Sequence, residues 1–238
     1  MTITDPKPRA KALRPRDAAT LILVETTSGS PRVLMGKRHE AHKFMPGKYV
    51  FPGGRVDLAD TRVQPNTPLN DEVTGKLLAH MRGKPSLARA QGLAMAAVRE
   101  TFEEVGYVIG SPATPAPTRA AAWQQFHKTG YAPDLDRLRL LARAITPPGR
   151  PRRFDTRFFV ADASVIANPQ APVAPETDEL LTPHWVTIDE ARALDLPWIT
   201  GQILTRLEAL LERKDALTCQ PECSFQYMRG KNWQYVTL

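Results

Sequence analysis

Only two of the 238 residues are cysteine, Cys219 and Cys223, spaced C-x3-C with no second pair and no histidine beside them. A zinc site there would be short of ligands, so free thiols in a reducing cytoplasm are expected. No apolar run is long enough to span a bilayer, which argues against a membrane role, and no internal repeat is present. Residues 1–17 contain Lys7, Arg9, Lys11, Arg14 and Arg16 but no hydrophobic segment, and Pro6, Pro8 and Pro15 oppose an amphipathic helix. They read as a basic flexible tail rather than a secretory or transit signal. Aromatic residues are scarce, at 7%, and no basic face interleaves with them. The net charge of +7 therefore points away from nucleic acid and toward an anionic small-molecule partner.

What is present concentrates in one segment, Arg99-Glu100-Thr101-Phe102-Glu103-Glu104-Val105-Gly106. At 3.6 residues per turn, Glu100, Glu103 and Glu104 share a helix face, with Met95, Val98, Phe102 and Val105 opposite. Like charges at these spacings repel. Arg99 can answer part of that repulsion, and a hard divalent cation, which prefers carboxylate oxygens, the rest. A solvated acidic face is the plainer reading. It leaves unexplained the clustering opposite a clean apolar stripe, beside the small Ala96 and Ala97. Upstream, Tyr49-Val50-Phe51 reads as a strand running into the turn Pro52-Gly53-Gly54, whose glycines let the backbone bend and approach a ligand.

Together these segments resemble the box of the Nudix hydrolases, G-x5-E-x7-R-E-U-x-E-E-x-G-U, where U is apolar. Arg99, Glu100, Glu103, Glu104, Gly106 and Tyr107 match its second part, with Thr101 standing where the family has an apolar residue. Counting back from Arg99 places the box glutamate on Gln91 and the box glycine on Pro85. The glycine's counterpart is instead Gly54, which leaves residues 55–90 as an insertion inside the box. Asp57 is a substitute for the missing glutamate, or else the cap of a turn. This arrangement, with Ile145-Thr146-Pro147-Pro148 and Arg152-Arg153-Phe154-Asp155-Thr156-Arg157-Phe158-Phe159, is similar to the branch of peroxisomal coenzyme A diphosphatases and their bacterial relatives.

Read coarsely, residues 18–27, 32–38, 49–51, 154–161 and 183–187 are strands. Residues 69–81, 87–105, 120–128, 189–194 and 201–213 read as helices, the second ending at Gly106. Residues 135–145 fit either class. The mixture without strict alternation suggests a mixed sheet between helices. The resemblance turns this into an α/β class Nudix-type α/β/α sandwich with a helical insertion, spanning 18–213, followed by an extension at 214–238 ending in a hairpin.

The resemblance implies Mg²⁺- or Mn²⁺-dependent hydrolysis of a nucleoside diphosphate linked to another group, with coenzyme A or acyl-coenzyme A favoured. ADP-ribose, NADH, nucleotide sugars and a non-catalytic binding module stay open. Glu100, Glu103, Glu104 and the Gly53 carbonyl are the implied metal ligands, and Arg99 orients the glutamates. A general base is sought among Glu176, Asp178 and Glu179, with Glu179 preferred. Phosphate contacts are sought among Arg38, Lys48, Arg55, Arg152 and Arg153, foremost Arg38 and Arg55 beside Gly54. Arg152 and Arg153 fit carboxylate pairing equally well, and His42 reads as surface. The inserted helices shape either the pocket entrance or a homodimer contact.

Overall fold

The computed structural model describes residues 13–41, 45–170, 172 and 179–238. The chain opens with strands β1 (Arg16–Glu25), β2 (Arg32–Arg38), β3 (Tyr49–Val50) and β4 (Gly53–Arg55). After a 3-10 turn at Leu58–Thr61 come helices α1 (Asp71–Ala79) and α2 (Leu87–Val105). Then follow β5 (Gly110–Pro112), α3 (Ala121–Lys128), β6 (Tyr131–Pro133), β7 (Arg139–Ile145) and β8 (Phe154–Asp162). The last elements are β9 (Leu180–Thr187), α4 (Ile188–Ala193), α5 (Trp198–Leu211), β10 (Ser224–Arg229) and β11 (Asn232–Thr237).

Among the described residues, nine strands form one mixed sheet with the path β11-β10-β7-β8-β1-β2-β3; β4 also pairs with β1, and β9 with β2. β1 runs parallel to β8 along its length, Arg16 opposite Phe154 and Val24 opposite Asp162. A strand covered on both sides should read as a continuous apolar run. β1 does, and its alternate residues divide between two cores. Leu21 and Leu23 pack with Leu93, Ala97 and Val98 of α2, while Ile22 and Val24 pack with Ile203, Leu204 and Leu207 of α5. The α/β/α sandwich is thus present, with α2 and α5 on opposite faces of the sheet. No helix among the described residues is long and apolar enough to cross a membrane.

Helix α2 has the limits its apolar periodicity predicts. It stops because Gly106 adopts the left-handed conformation (φ +79°), where its N–H reaches the Phe102 carbonyl at 2.8 Å. The ambiguous segment resolves as strand β7, whose register with β8 shifts between Leu140 and Ala142, an irregularity that breaks simple alternation. The C-terminal hairpin extends the sheet itself: β10 pairs in parallel with β7, Ser224 opposite Ala142.

Some of the apparently scattered basic residues form a buried ionic net. Arg143 forks onto Asp155 with two 2.8 Å bonds, and Arg157 Nη1 donates to Asp17 Oδ1 at 3.0 Å. Asp17 also accepts from Arg89 Nε at 2.5 Å, which ties α2 to β1 and β8. Arg153 donates to the backbone carbonyls of Thr146 and Leu13 rather than to a carboxylate. The two cysteines are free thiols, Cys219 exposed and Cys223 buried. Burial pushes the Cys223 thiol up to about 12, so it stays protonated and inert. Alkylation of the native protein at pH 8 is expected to label Cys219 alone, with Cys223 reacting only after denaturation. Prompt labelling of both would contradict this packing.

Candidate active site

The three glutamates of α2 do not form a solvated face. Glu104 is 4% exposed, and the side chains of Glu100 and Glu103 are 14% and 15% exposed. Glu100 and Glu104 lie under the glycine turn, whose second half is β4, paired to β1 with Gly53 opposite Thr20 and Gly54 opposite Ala19. Gly53 has φ +156°, and a Cβ there would fall 2.5 Å from the Ala19 carbonyl oxygen, so glycine alone fits. Its N–H donates to Glu104 Oε2 at 2.9 Å. A Cβ on Gly54 would lie 2.5 Å from the Glu100 carboxyl. Gly54→Ala is therefore expected to push that flexible carboxylate aside, changing stability by less than about 1 kcal/mol. Its signature is a loss of activity of about tenfold or more with a near-native melting temperature.

Arg99, also buried, holds the cluster from the other side. Its Nη1 donates to Glu103 Oε2 at 2.7 Å and lies 3.0 Å from Glu100 Oε1, while Nη2 reaches the Arg55 carbonyl at 3.0 Å. Its strongest partner is a residue the motif count missed. Asp60, fully buried in the 3-10 turn, receives Arg99 Nε at 2.9 Å and Nη2 at 3.1 Å, a two-point fork. Burial works against the Arg99 charge, but Asp60, Glu100 and Glu103 outweigh it and hold its pKa above the usual value.

Gln91 is elsewhere: its Nε2 donates to the Val63 carbonyl at 3.3 Å. Asp57 is half-exposed and pairs with Arg55 at 3.1 Å. Asp57 caps the 3-10 turn, one of its two expected readings, and neither residue bonds Arg99. The signal for Asp60 was available, since five residues separate it from Gly54; counting back from Arg99 without a gap obscured it. Thr101 is accommodated in the core because its hydroxyl donates to the Ala97 carbonyl at 2.8 Å.

The electrostatics of the cluster call for a cation. Burial, then the neighbouring Glu100 charge, push Glu104 up to about 8, against the opposing Gly53 N–H and Arg38. Burial pushes Glu100 up to about 7, opposed by Arg99 and reinforced by Glu103. The donor set is entirely carboxylate oxygen, which suits Mg²⁺ or Mn²⁺. Among the described residues no three acidic, histidine or cysteine side chains form a ready-made cage; Arg99 and the Gly53 N–H engage the glutamates instead. Two desolvated, mutually repelling carboxylates beside a close backbone turn nevertheless fit a hard cation.

Of the residues sought outside α2, Arg38 and Glu179 come together, 3.9 Å apart, and both act electrostatically on Glu104. They meet because β2 and β9 pair up to Arg38–Leu180, and the His39 N–H donates to the Glu179 carbonyl at 3.1 Å. The Arg55 side chain points to Asp57, and Lys48 pairs with Asp195. Arg152 is exposed. Glu176, Asp178 and His42 lie outside the described residues.

No protein-family model matches the chain. A curated relative from Caenorhabditis elegans, named for nudix hydrolase 7, is 31% identical over 193 residues, covering 75% of this chain and 55% of the relative. The chain thus spans about half the length of the curated relative it matches. The crystal structure of a NUDIX hydrolase from Alicyclobacillus acidocaldarius superposes with a TM-score of 0.59 at 25% identity, over 87% of this chain and 92% of that one.

Proposed function

We infer that this chain is a metal-dependent diphosphatase of the Nudix type, a reading that its fold and its glutamate motif support. Its substrate class is a nucleoside diphosphate joined to another group, with coenzyme A or an acyl derivative favoured. One observation carries the reading: α2 turns Glu100 and Glu104 toward the Gly53–Gly54 turn, with Glu103 held beside them by Arg99, while Asp60 locks that arginine. On this reading the box runs from Gly54 to Asp60, and the insertion, with helix α1, falls between Asp60 and Gly92 rather than across 55–90.

Glu100 and Glu104 are the principal ligands for Mg²⁺ or Mn²⁺, with Glu103 and the Gly53 carbonyl completing the set. When bound, the metal neutralises phosphate charge and acidifies water. Arg99, fixed by Asp60, keeps Glu100 and Glu103 aimed at one point. The Gly53 N–H holds one oxygen of Glu104. Arg38 is placed to fork onto a phosphate oxygen, and Glu179 to accept the proton of the attacking water. The preference for coenzyme A rests on the insertion and on the segment around Arg152–Phe159. The net charge of +7 suits such an anionic substrate in the cytoplasm and calls for no nucleic-acid partner. On the same reading the insertion shapes the pocket entrance or a homodimer contact.

The test is hydrolysis, with Mg²⁺ or Mn²⁺, of a panel comprising coenzyme A, acyl-coenzyme A, ADP-ribose, NADH and nucleotide sugars. Turnover that chelation abolishes is expected, strongest on the coenzyme A pair. Preference for ADP-ribose or a nucleotide sugar would remove the substrate assignment, and silence across the panel would remove the enzymatic reading.

A further inference from the structure

Asp60 is fully buried, and its carboxylate meets four donors. Oδ1 receives Arg99 Nε at 2.9 Å and Trp123 Nε1 at 2.9 Å; Oδ2 receives Arg99 Nη2 at 3.1 Å and the Asp57 N–H at 2.7 Å. Each oxygen is thus pinned once by the arginine fork and once by the surrounding fold. Without the indole N–H, Oδ1 would be held by Arg99 alone, and the carboxylate could turn about its bond to Oδ2. The guanidinium, then steadied outside the cluster only by the Arg55 carbonyl on Nη2 at 3.0 Å, would loosen with it, and Glu100 and Glu103 both lean on its Nη1.

Trp123 comes from α3, outside the glutamate motif and the glycine turn. It is completely buried, beside Phe126 at 5.5 Å between ring centroids, and Phe126 in turn meets Phe102 of α2 at 5.1 Å. A phenylalanine at 123 would supply the apolar bulk but not the donor, and a desolvated carboxylate short of a donor is costly.

We propose that Trp123 is a positioning residue for the carboxylate cluster, its indole N–H fixing Asp60 and, through Asp60 and Arg99, the aim of Glu100 and Glu103. The proposal rests on the function inferred above.

Trp123→Phe in the full chain tests it, with Leu207→Ala on α5, across the sheet, as a core change that also lowers stability. In the metal-free protein, solvent exchange of the Arg99 Nε–H, followed by NMR, is expected to quicken about tenfold in Trp123→Phe, as for the loss of one buried hydrogen bond. Mn²⁺ affinity, read by EPR, is expected to fall about tenfold, the size found for groups behind a metal ligand. The kcat should fall with it while KM stays within about twofold. Leu207→Ala should leave all of these near wild type. Unchanged Arg99 exchange and Mn²⁺ affinity in Trp123→Phe would overturn the proposal, as would the same losses in Leu207→Ala. If the wild type bound no Mn²⁺ and hydrolysed nothing while Trp123→Phe still freed Arg99, the functional reading would fall and the positioning contact would stand.

Discussion

Glu104→Gln is expected to reduce hydrolysis by about 10³-fold or more, while the metal-free fold becomes as stable as the wild type or slightly more so. Gln has the same shape, and its carbonyl can still accept the Gly53 N–H that Glu104 Oε2 accepts at 2.9 Å. Only the charge is lost. That charge is a burden to the empty fold, because burial and the Glu100 charge both push the carboxyl up, to about 8. Removing it should gain up to about 1 kcal/mol without metal, and should cancel most of the stabilisation that Mn²⁺ gives the wild type. Melting curves with and without Mn²⁺, beside kcat on the best substrate, read both effects. A variant retaining a tenth of wild-type kcat would remove Glu104 from the metal site. A marked loss of metal-free stability would mean that the carboxylate is a structural anchor. Glu103, whose carboxylate is paired with Arg99, should show a smaller loss on the same change.

Strong local periodicity made much of the fold legible. Helix α2 and strand β2 have the limits their patterns predict, because an amphipathic stripe with a glycine stop and a short apolar run after a turn are local signals. Strand β7 was ambiguous because its register shift defeats the two-residue period. The burial of the glutamates was not legible at all, since it depends on β4 pairing to β1, and a Gly-Gly-Arg stretch carries no strand signature. The basic residues mislead for a similar reason. Arg143 is buried against Asp155 on the neighbouring strand, and Arg157 against Asp155 on its own strand and Asp17 on β1, pairings that composition reads only as surplus positive charge. For the site, the helix half was readable from spacing and the Arg38–Glu179 approach was not, because it depends on β9 pairing to β2. Trp123 had no signal beyond its helix, since its partner lies 63 residues away.

The largest effect on stability should come from the residue that the gapless motif count passed over. Asp60→Ala leaves the buried Arg99 without its fork partner, and breaking a buried ion pair by removing one member costs about 3–5 kcal/mol. For a chain of this size that is a fall in melting temperature of roughly 6–20 °C. Asp57→Ala and Gln91→Ala should each stay within about 1 kcal/mol of wild type, since the first removes an exposed pair and the second one long hydrogen bond. If Gln91→Ala proved severe and Asp60→Ala mild, the box would have to be counted back from Arg99 without a gap, and the ionic lock would be misplaced. Removing both charges separates the two duties of the lock. Asp60→Leu combined with Arg99→Met replaces a buried pair by apolar side chains of similar volume, which should recover most of the stability lost in Asp60→Ala. Activity should not recover, because no guanidinium then holds Glu100 and Glu103. A double variant that folds and also hydrolyses at the wild-type rate would show that the glutamates need no such support.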